Sequence, residues 1–307
     1  MSGPAPASDT LPRSLWVLVG TLSLLWGLNW PVMKVVVAEI PVWTFRSLCF
    51  LSAFAGLLGI AALRGHRLWP VGGWGRIAVV GLFTATLNTV PLMLGIAQLP
   101  SGRTVVLYYT MPVWSVLLAA WWLGEPLTRR RVVGVVAGLV SVLLVVAPAL
   151  AGRDFPVGGV VLVLLGSLSW AIATVLQKKL PVPLPSASYS AWVMLVGGIP
   201  VYLMALALET GRIAGIADAS WAAIGGVLYN MVAVFIAGWW IWMRIVEQAP
   251  AGVAALSSLM TPVVGVAGGI VLLGEKLAPT DLAALAAVTL AMASVMLPSR
   301  RRPPAAA

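Results

Sequence analysis

The sequence predicts an all-α membrane protein: ten transmembrane helices arranged as two inverted five-helix repeats, with both termini in the cytoplasm. Three observations predict this fold class. Of the 307 residues, 61% are hydrophobic and only 9% are charged, and the mean hydropathy of +1.01 lies far outside the range of soluble globular domains. Apolar runs long enough to cross a bilayer recur along the chain. One segment of the sequence also returns 150 residues later.

The apolar runs are the first of these signals. A helix needs roughly 20 mainly apolar residues to cross the hydrocarbon core. A large soluble protein with buried helices would need polar helix faces, which these runs mostly lack. We therefore expect ten spans, at about residues 15–37, 42–62, 76–97, 103–123, 132–150, 158–177, 188–208, 220–244, 252–273 and 279–298.

The repeated segment divides these spans into two sets of five. Residues 98–125 recur as residues 248–275, with nine of 28 aligned positions identical and the same Leu-Gly-Glu ending. A weaker echo relates Trp26 and Lys34 to Trp170 and Lys178 at a spacing of 144. Since five is odd, the second copy must enter the membrane from the opposite side, which makes the repeats inverted. We expect a disordered tail at 1–13, repeats at 14–151 and 152–299, and a C-terminal tail at 300–307.

The positive charges predict the orientation. The net charge is +10, but the basic residues are unevenly spread over the predicted span ends. With the termini inside, 13 Lys and Arg lie on the cytoplasmic side and six outside, which agrees with the positive-inside rule. The outer six are Lys34, Arg46, Arg103, Arg153, Arg212 and Lys276. The basic excess thus indicates topology in an inner (plasma) membrane, with the lipid bilayer as partner and no nucleic acid.

The residue inventory argues against an enzyme. The single histidine, His66, lies in a predicted loop, and the single cysteine, Cys49, lies within a span. All nine acidic residues fall in the tail, loops or span ends, so no catalytic arrangement, metal site or cofactor is expected. No nucleotide-binding loop is present, so ATP is not expected as a partner. The missing mid-span carboxylate also disfavours obligatory proton antiport and favours movement down the substrate gradient.

Polar but uncharged side chains and deep tryptophans are the candidate substrate-binding groups. Buried amides and hydroxyls need partners, so they face other helices or a wet cavity. For Ser and Thr, bonding to a helix backbone is the more common role, whereas for Asn both roles stay open, and deep Trp residues either pack or line a cavity. The candidates are Trp26, Asn29, Trp30, Asn88, Tyr108, Tyr109, Trp170, Thr174, Asn230, Trp239 and Ser257.

Two prolines are hinge candidates. Pro112 and Pro262 occupy matching positions in spans 4 and 9. Each removes a backbone N–H and frees a carbonyl, which permits a break or bend. Matched breaks in inverted halves indicate a transport site, although a purely structural kink is the open alternative.

These motifs resemble those of a known family. The first-span motif of the EamA-type proteins, in the drug/metabolite transporter superfamily, is similar to residues 26–34 (WGLNWPVMK). Residues 41–46 resemble the second-span motif, which usually ends in Arg-Phe, although Ser47 follows Arg46 here. The resemblance implies ten helices, both termini inside and a cavity between the repeats. It also implies export or exchange of amino acids, other metabolites or toxic compounds.

The sequence therefore predicts a monomeric inner-membrane exporter of a small-molecule substrate, with amino acids the leading class. It would alternate around an uncharged cavity of aromatic and amide groups. An exporter of drugs or organic cations is the first alternative, although such a cavity would normally contain a buried carboxylate. A membrane scaffold or sensor without transport is the second.

Overall fold

A computed structural model describes residues 13–152, 155–211, 216, 218–248 and 251–297, without the side chains of 251–255. Every regular element in these ranges is helical. Ten helices are long and apolar enough to span a membrane: α1 (Arg13–Glu39), α2 (Val42–Leu63), α3 (Trp74–Gln98), α4 (Ser101–Leu123), α5 (Arg129–Leu150), α6 (Val157–Lys179), α7 (Ser186–Glu209), α8 (Trp221–Gln248), α9 (Ala251–Leu273) and α10 (Pro279–Met296). They confirm the ten predicted spans. The expected tails lie outside the described residues, apart from Arg13.

The outer faces of the bundle are apolar, as lipid contact requires. On α5, Val133, Val136 and Leu143 are each more than half exposed. Water would penalise such a face, whereas lipid hydrocarbon would not. The protein is thus a multi-pass membrane protein.

Four of the helices are irregular. α4 is divided into Ser101–Tyr108 and Met111–Leu123, and α7 is divided at Gly198. α3 and α8 each contain a π-helical stretch, at Leu82–Thr86 and Tyr229–Gly238. Such stretches are rare and often mark functional sites. Here they occupy the third helix of each half.

The prediction of matched proline breaks is wrong for α9. Pro112 begins the second half of α4, but α9 runs through Pro262 without interruption. The α4 break is supported from α6, where the Ser167 hydroxyl donates to the Tyr108 carbonyl that the proline frees, at 2.9 Å. Thr110 adds a second hydroxyl, 3.2 Å from that of Ser167. In α9, Met260 stands at the place of Thr110 and has no such hydroxyl.

Helix pairing has the same pattern in both halves. The largest interfaces join α5 to α10, α1 to α9, α3 to α6 and α2 to α7. In this pairing, each helix of the first five has a counterpart five places later in the chain. The counterpart of the α1–α9 pair is α6–α4, and the counterpart of α3–α6 is α8–α1; both counterpart pairs are also in contact. Ser23 and Ser167 match in the same way: Ser23 donates to the Ser257 carbonyl of α9 at 3.1 Å, as Ser167 does to α4.

Candidate functional site

A cavity of about 150 Å³ lies between the two halves of the bundle, similar to a void that accepts one benzene-sized molecule. Helices α1 to α4 and α6 to α8 all contribute to its wall. Eight of the eleven predicted site residues line it: Trp26, Asn29, Trp30, Asn88, Tyr108, Tyr109, Trp170 and Trp239.

The α1 face follows from helical periodicity. Trp26, Asn29, Trp30 and Met33 are spaced by three or four residues, so they share one side of the helix, and all four line the cavity. The Trp30 ring packs against Tyr108 at the break in α4, with ring centroids 5.1 Å apart. The same indole lies 6.3 Å from the ring of Tyr109. This aromatic cluster gives the cavity its apolar wall.

The polar groups of α3 enter the wall beside its π-helical stretch. Thr84, Asn88 and Thr89 line the cavity. The Asn88 amide and the Tyr108 hydroxyl bond each other at 3.2 Å, and Thr84 donates to the Val80 carbonyl of its own helix. Asn88 thus both joins two helices and borders the cavity.

One wall residue contradicts the expectation of an uncharged cavity. Arg46, counted above as an outer-side topology residue, is 7% exposed and lines the cavity. Its side chain turns inward from the second turn of α2 and lies among Phe45, Phe50 and Phe235, with the guanidinium carbon 5.1–5.6 Å from their ring centroids. The only sequence signal for this position was the resemblance of residues 41–46 to the family motif.

Three predicted residues lie outside the central cavity. Thr174 borders neighbouring spaces and donates to the carbonyl of Trp170. Asn230 is fully buried and donates to the Gly226 carbonyl of its own helix. Ser257 is also fully buried, and its carbonyl accepts from Ser23 and Thr261. For these residues, helix bonding is the observed role.

A vestibule of about 710 Å³ adjoins the cavity at the end of the bundle where α10 ends. The two spaces share Trp26, Met111, Trp170 and Trp239 as wall residues. The Trp26 indole packs on Trp239, with ring centroids 6.3 Å apart. The vestibule continues past Glu125, Arg131 and Lys178, which carry charge at its rim.

The opposite end is held together by Glu275. Its carboxylate accepts from the backbone N–H groups of Ser101 at 2.6 Å and Gly102 at 3.0 Å, the start of α4. Lys34 donates to the carbonyls of Ile96, Ala97 and Leu99 at 2.7–3.2 Å, where α3 ends. Anions stabilise helix N-termini and cations stabilise C-termini. The α3–α4 turn is thus fixed from two sides.

An ion pair adds to the contacts at this end. Arg103 in α4 and Asp281 in α10 form two hydrogen bonds, at 2.8 and 3.1 Å. A bidentate pair of this kind is more specific than a single contact. Val253 and Arg131 stand at the corresponding sequence positions of the other repeat, so the pair has no sequence equivalent there.

At the vestibule end the equivalent residues make different contacts. Glu125, the twin of Glu275, bonds Arg131 at 2.8 Å and lies 3.6 Å from Lys178, the twin of Lys34. Both Leu-Gly-Glu turns share the same backbone, with Gly124 at φ 68° and Gly274 at φ 64°. Identical local sequence therefore supports a helix clamp at one end and a surface ion-pair network at the other.

In the described ranges, no group of three His, Cys, Asp or Glu residues could hold a metal ion. Cys49 is buried. The buried carboxylate of Glu209 accepts from the backbone N–H groups of Trp43 and Thr44 and from the Thr44 hydroxyl, at the start of α2. What the arrangement offers is binding: apolar rings, amides and one guanidinium around a small void.

Comparison with known proteins places this site in a family. The EamA-like transporter family model matches residues 14–147 and, separately, residues 157–297. The chain belongs to the EamA-like transporter family. It is a membrane transporter, since that is what the family comprises, and not an enzyme.

Several curated relatives of this EamA-like chain span nearly its whole length. It is 28% identical to the uncharacterized transporter YvbV of Bacillus subtilis, covering 92% of this chain and 90% of the relative. It is 27% identical to a probable amino-acid metabolite efflux pump of Salmonella typhimurium, covering 86% and 90%. The uncharacterized inner membrane transporter YedA of Escherichia coli is 26% identical, covering 93% and 92%.

A solved structure described as "Crystal structure of protein" shares the fold of this EamA-like transporter. It superposes with a TM-score of 0.64, covering 92% of this chain and 96% of the other, at 18% identity. At that identity the likeness concerns the fold alone.

Proposed function

We propose that this protein exports small amphipathic metabolites, with amino acids the leading class, across the cytoplasmic (inner) membrane by alternating access and without ATP. The observation that carries the proposal is the central cavity, which both halves of the bundle build and which adjoins a vestibule at one end. A closed far end and an open near end are what alternating access requires of a single state. Similarity to a probable amino-acid metabolite efflux pump supports the substrate class.

The two units that alternate are proposed to be inverted repeats at about residues 14–151 and 152–299. The equivalent helix pairings and the Ser23/Ser167 contacts support this relation. The excess of basic residues at the vestibule end supports placing that end, and both termini, in the cytoplasm. The substrate would then enter the cavity from inside the cell.

The clamp at the α3–α4 turn is proposed to exchange with its twin. In the present state Glu275 and Lys34 hold the turn between α3 and α4. When the repeats rock, Glu125 and Lys178 would leave their ion-pair network and hold the turn between α8 and α9. The outer end then opens as the cytoplasmic end closes, because the glutamate of each clamp joins one repeat to the other.

Arg46 weighs against the organic-cation alternative. A cationic drug would meet a positive charge in the cavity wall, in surroundings where charge repulsion is weakly screened. A neutral or anionic group is better tolerated at that position. The amino-acid reading is thus favoured over the drug reading.

Counterflow in proteoliposomes tests the proposal. Purified protein should exchange labelled leucine or phenylalanine for an unlabelled amino acid on the other side, with no nucleotide added. Trp30→Ala should lose most of this flux because Trp30 packs on both cavity tyrosines. Trp16→Ala is the matched control, since Trp16 lies on the same helix but is 48% exposed on the outer face.

The possible results separate the candidate functions. Flux that depends on Trp30 and not on Trp16 supports the proposal. Transport of cationic dyes without amino-acid flux would favour the drug-export alternative. Absence of flux for every solute would favour a scaffold or sensor.

A further inference from the structure

Arg46 differs from the neighbouring cations because the described structure gives its guanidinium no oxygen acceptor. Lys34 is saturated by three carbonyls, Arg103 is paired with Asp281, and Arg131 is paired with Glu125. The Arg46 guanidinium contacts the three Phe rings, and its Nη1 lies 3.8 Å from the Met33 sulfur. Its buried Nε has no acceptor at all.

Burying an unpaired guanidinium costs free energy of folding unless an acceptor satisfies its N–H groups. A guanidinium presents five N–H donors in a planar fork, and thioether sulfur is a weak acceptor for one of them. Ring faces compensate only part of the lost hydration. An ion that the fold leaves unpaired at the edge of a cavity is therefore poised for an anion that comes from outside the protein.

The other residues of the cavity wall indicate which kind of anion fits. Among the described residues that line the cavity there is no aspartate or glutamate, so the wall carries one positive charge. A carboxylate matches the guanidinium fork with two parallel hydrogen bonds. The rings of Trp30, Tyr108 and Phe50 line the same space and suit a compact apolar body.

One further unpaired group lies in this wall. Asn29 Oδ1 is buried and has no hydrogen-bond donor in the described structure. As an acceptor, it could receive an N–H group of the same solute. A free guanidinium donor and a free amide acceptor in one small cavity match the two ends of an α-amino acid.

We propose that Arg46 is the carboxylate-binding residue of the central cavity, and that the transported solutes are compact apolar α-amino acids held by this carboxylate. The inference rests on the proposed function and adds its recognition chemistry. It requires that removing the carboxylate from the solute, or the guanidinium from the protein, has the same consequence.

Binding to the full-length protein in lipid nanodiscs tests this requirement. Leucine and phenylalanine are compared with isoamylamine and phenethylamine, which keep the apolar body and the amine but lack the carboxylate. Each amino acid should bind at least about 30-fold more tightly than its amine, as expected for a buried charge-assisted pair. Because this comparison uses the unaltered protein, it does not depend on how any variant folds.

Three variants complete the test. Arg46→Met should abolish the preference for the amino acid over the amine. Arg46→Lys should retain part of it, because the charge remains but the bidentate fork is lost. Arg129→Met is the matched control, an exposed arginine at the start of α5, and should bind like the unaltered protein.

Amines that bind as tightly as the amino acids, unchanged binding in Arg46→Met, or no binding of either amino acid would each overturn the inference. Its failure is distinguishable from failure of the proposed function. Counterflow of amino acids with no role for Arg46 would leave transport standing and remove the recognition proposal. Arg46-dependent binding without counterflow would leave the recognition proposal standing and remove the transport proposal.

Discussion

Replacing Glu275 by glutamine should open the end of the bundle that is closed in this structure. The carboxylate accepts two backbone N–H bonds from the start of α4, at 2.6 and 3.0 Å. Glutamine preserves the shape and one acceptor oxygen. It removes the charge and turns an N–H₂ group toward the second backbone N–H.

The size of the effect follows from these two bonds. Hydrogen bonds to a charged group contribute about 1.5–3 kcal/mol each, and the charge at a helix N-terminus adds roughly 0.3–1 kcal/mol. Losing one bond and the charge should cost the closed state about 2–4 kcal/mol. Since 1.36 kcal/mol is a tenfold change, the ratio of outer-closed to outer-open protein should fall roughly 30- to 900-fold.

Distances between spin labels measure this ratio. In a Cys49→Ala background, spin labels are placed at four exposed positions. In the proposed orientation, labels at Gln98 and Val271 report on the outer end, and labels at Leu127 and Gln248 report on the cytoplasmic end. Glu275→Gln should lengthen the outer distance and shorten the cytoplasmic one.

Glu125→Gln is the matched control and should act with the opposite sign. If Glu125 holds the α8–α9 turn only in the outer-open state, its replacement destabilises that state. Its effect should also be smaller, because Ala119 stands where Gly269 stands in the other repeat. A Cβ at Gly269 would lie 2.5 Å from Glu275 Oε2, so the twin clamp cannot adopt the same close geometry. Shifts of the same sign in both variants, or none in Glu275→Gln, would refute the exchange of clamps.

Three further predictions concern single positions. Arg46→Met should raise the melting temperature of the substrate-free protein, since an unpaired buried charge is removed; a lower melting temperature would indicate a structural role. Gly197→Ala should cost about 3 kcal/mol and reduce the yield of monodisperse protein, because its Cβ would lie 2.2 Å from the Gly81 carbonyl. Gly59→Ala, with nothing within 4 Å of its Cβ, should be harmless by the same assay, and equal yields would contradict the packing argument. Lys34→Met removes three bonds to the end of α3 and should lengthen the outer spin-label distance; an unchanged distance would mean that Glu275 closes this end alone.

Much of this fold is contained in the hydropathy pattern. Span number and approximate bounds follow from composition alone, because each helix must cover the hydrocarbon core independently of its neighbours. The α1 face was also predictable, since Trp26, Asn29 and Trp30 share one side of any regular helix. Periodicity is local, and local rules suffice for features of this kind.

The features that escaped prediction depend on neighbours. The two matched prolines have different outcomes: α4 is divided before Pro112, where Ser167 donates to the Tyr108 carbonyl, while α9 continues through Pro262. An arginine in the second turn of a span can extend to the interface or turn inward. Only the Phe residues around Arg46, one of them 189 positions away in α8, decide that it turns inward. Asn230 and Ser257 have polar side chains of the kind that can line a cavity, but both are buried in contacts between or within helices.

The differences between the two repeats favour one resting state. Gly269 lets Glu275 approach closely, and Arg103 with Asp281 adds a bidentate ion pair. Their twins in the other repeat are Ala119, Val253 and Arg131, which can form neither contact. A symmetric pair of repeats would populate the two states equally, so each of these substitutions biases the empty protein toward the outer-closed state. If the vestibule faces the cytoplasm, the resting conformation of the empty transporter has its cavity open to the cell interior. Under the two proposals made above, solute binding at Arg46 supplies the free energy that releases the outer clamp, since binding shifts an equilibrium only by its differential affinity for the two states. That order of events suits an exporter, in which the internal solute is the ligand that starts the cycle.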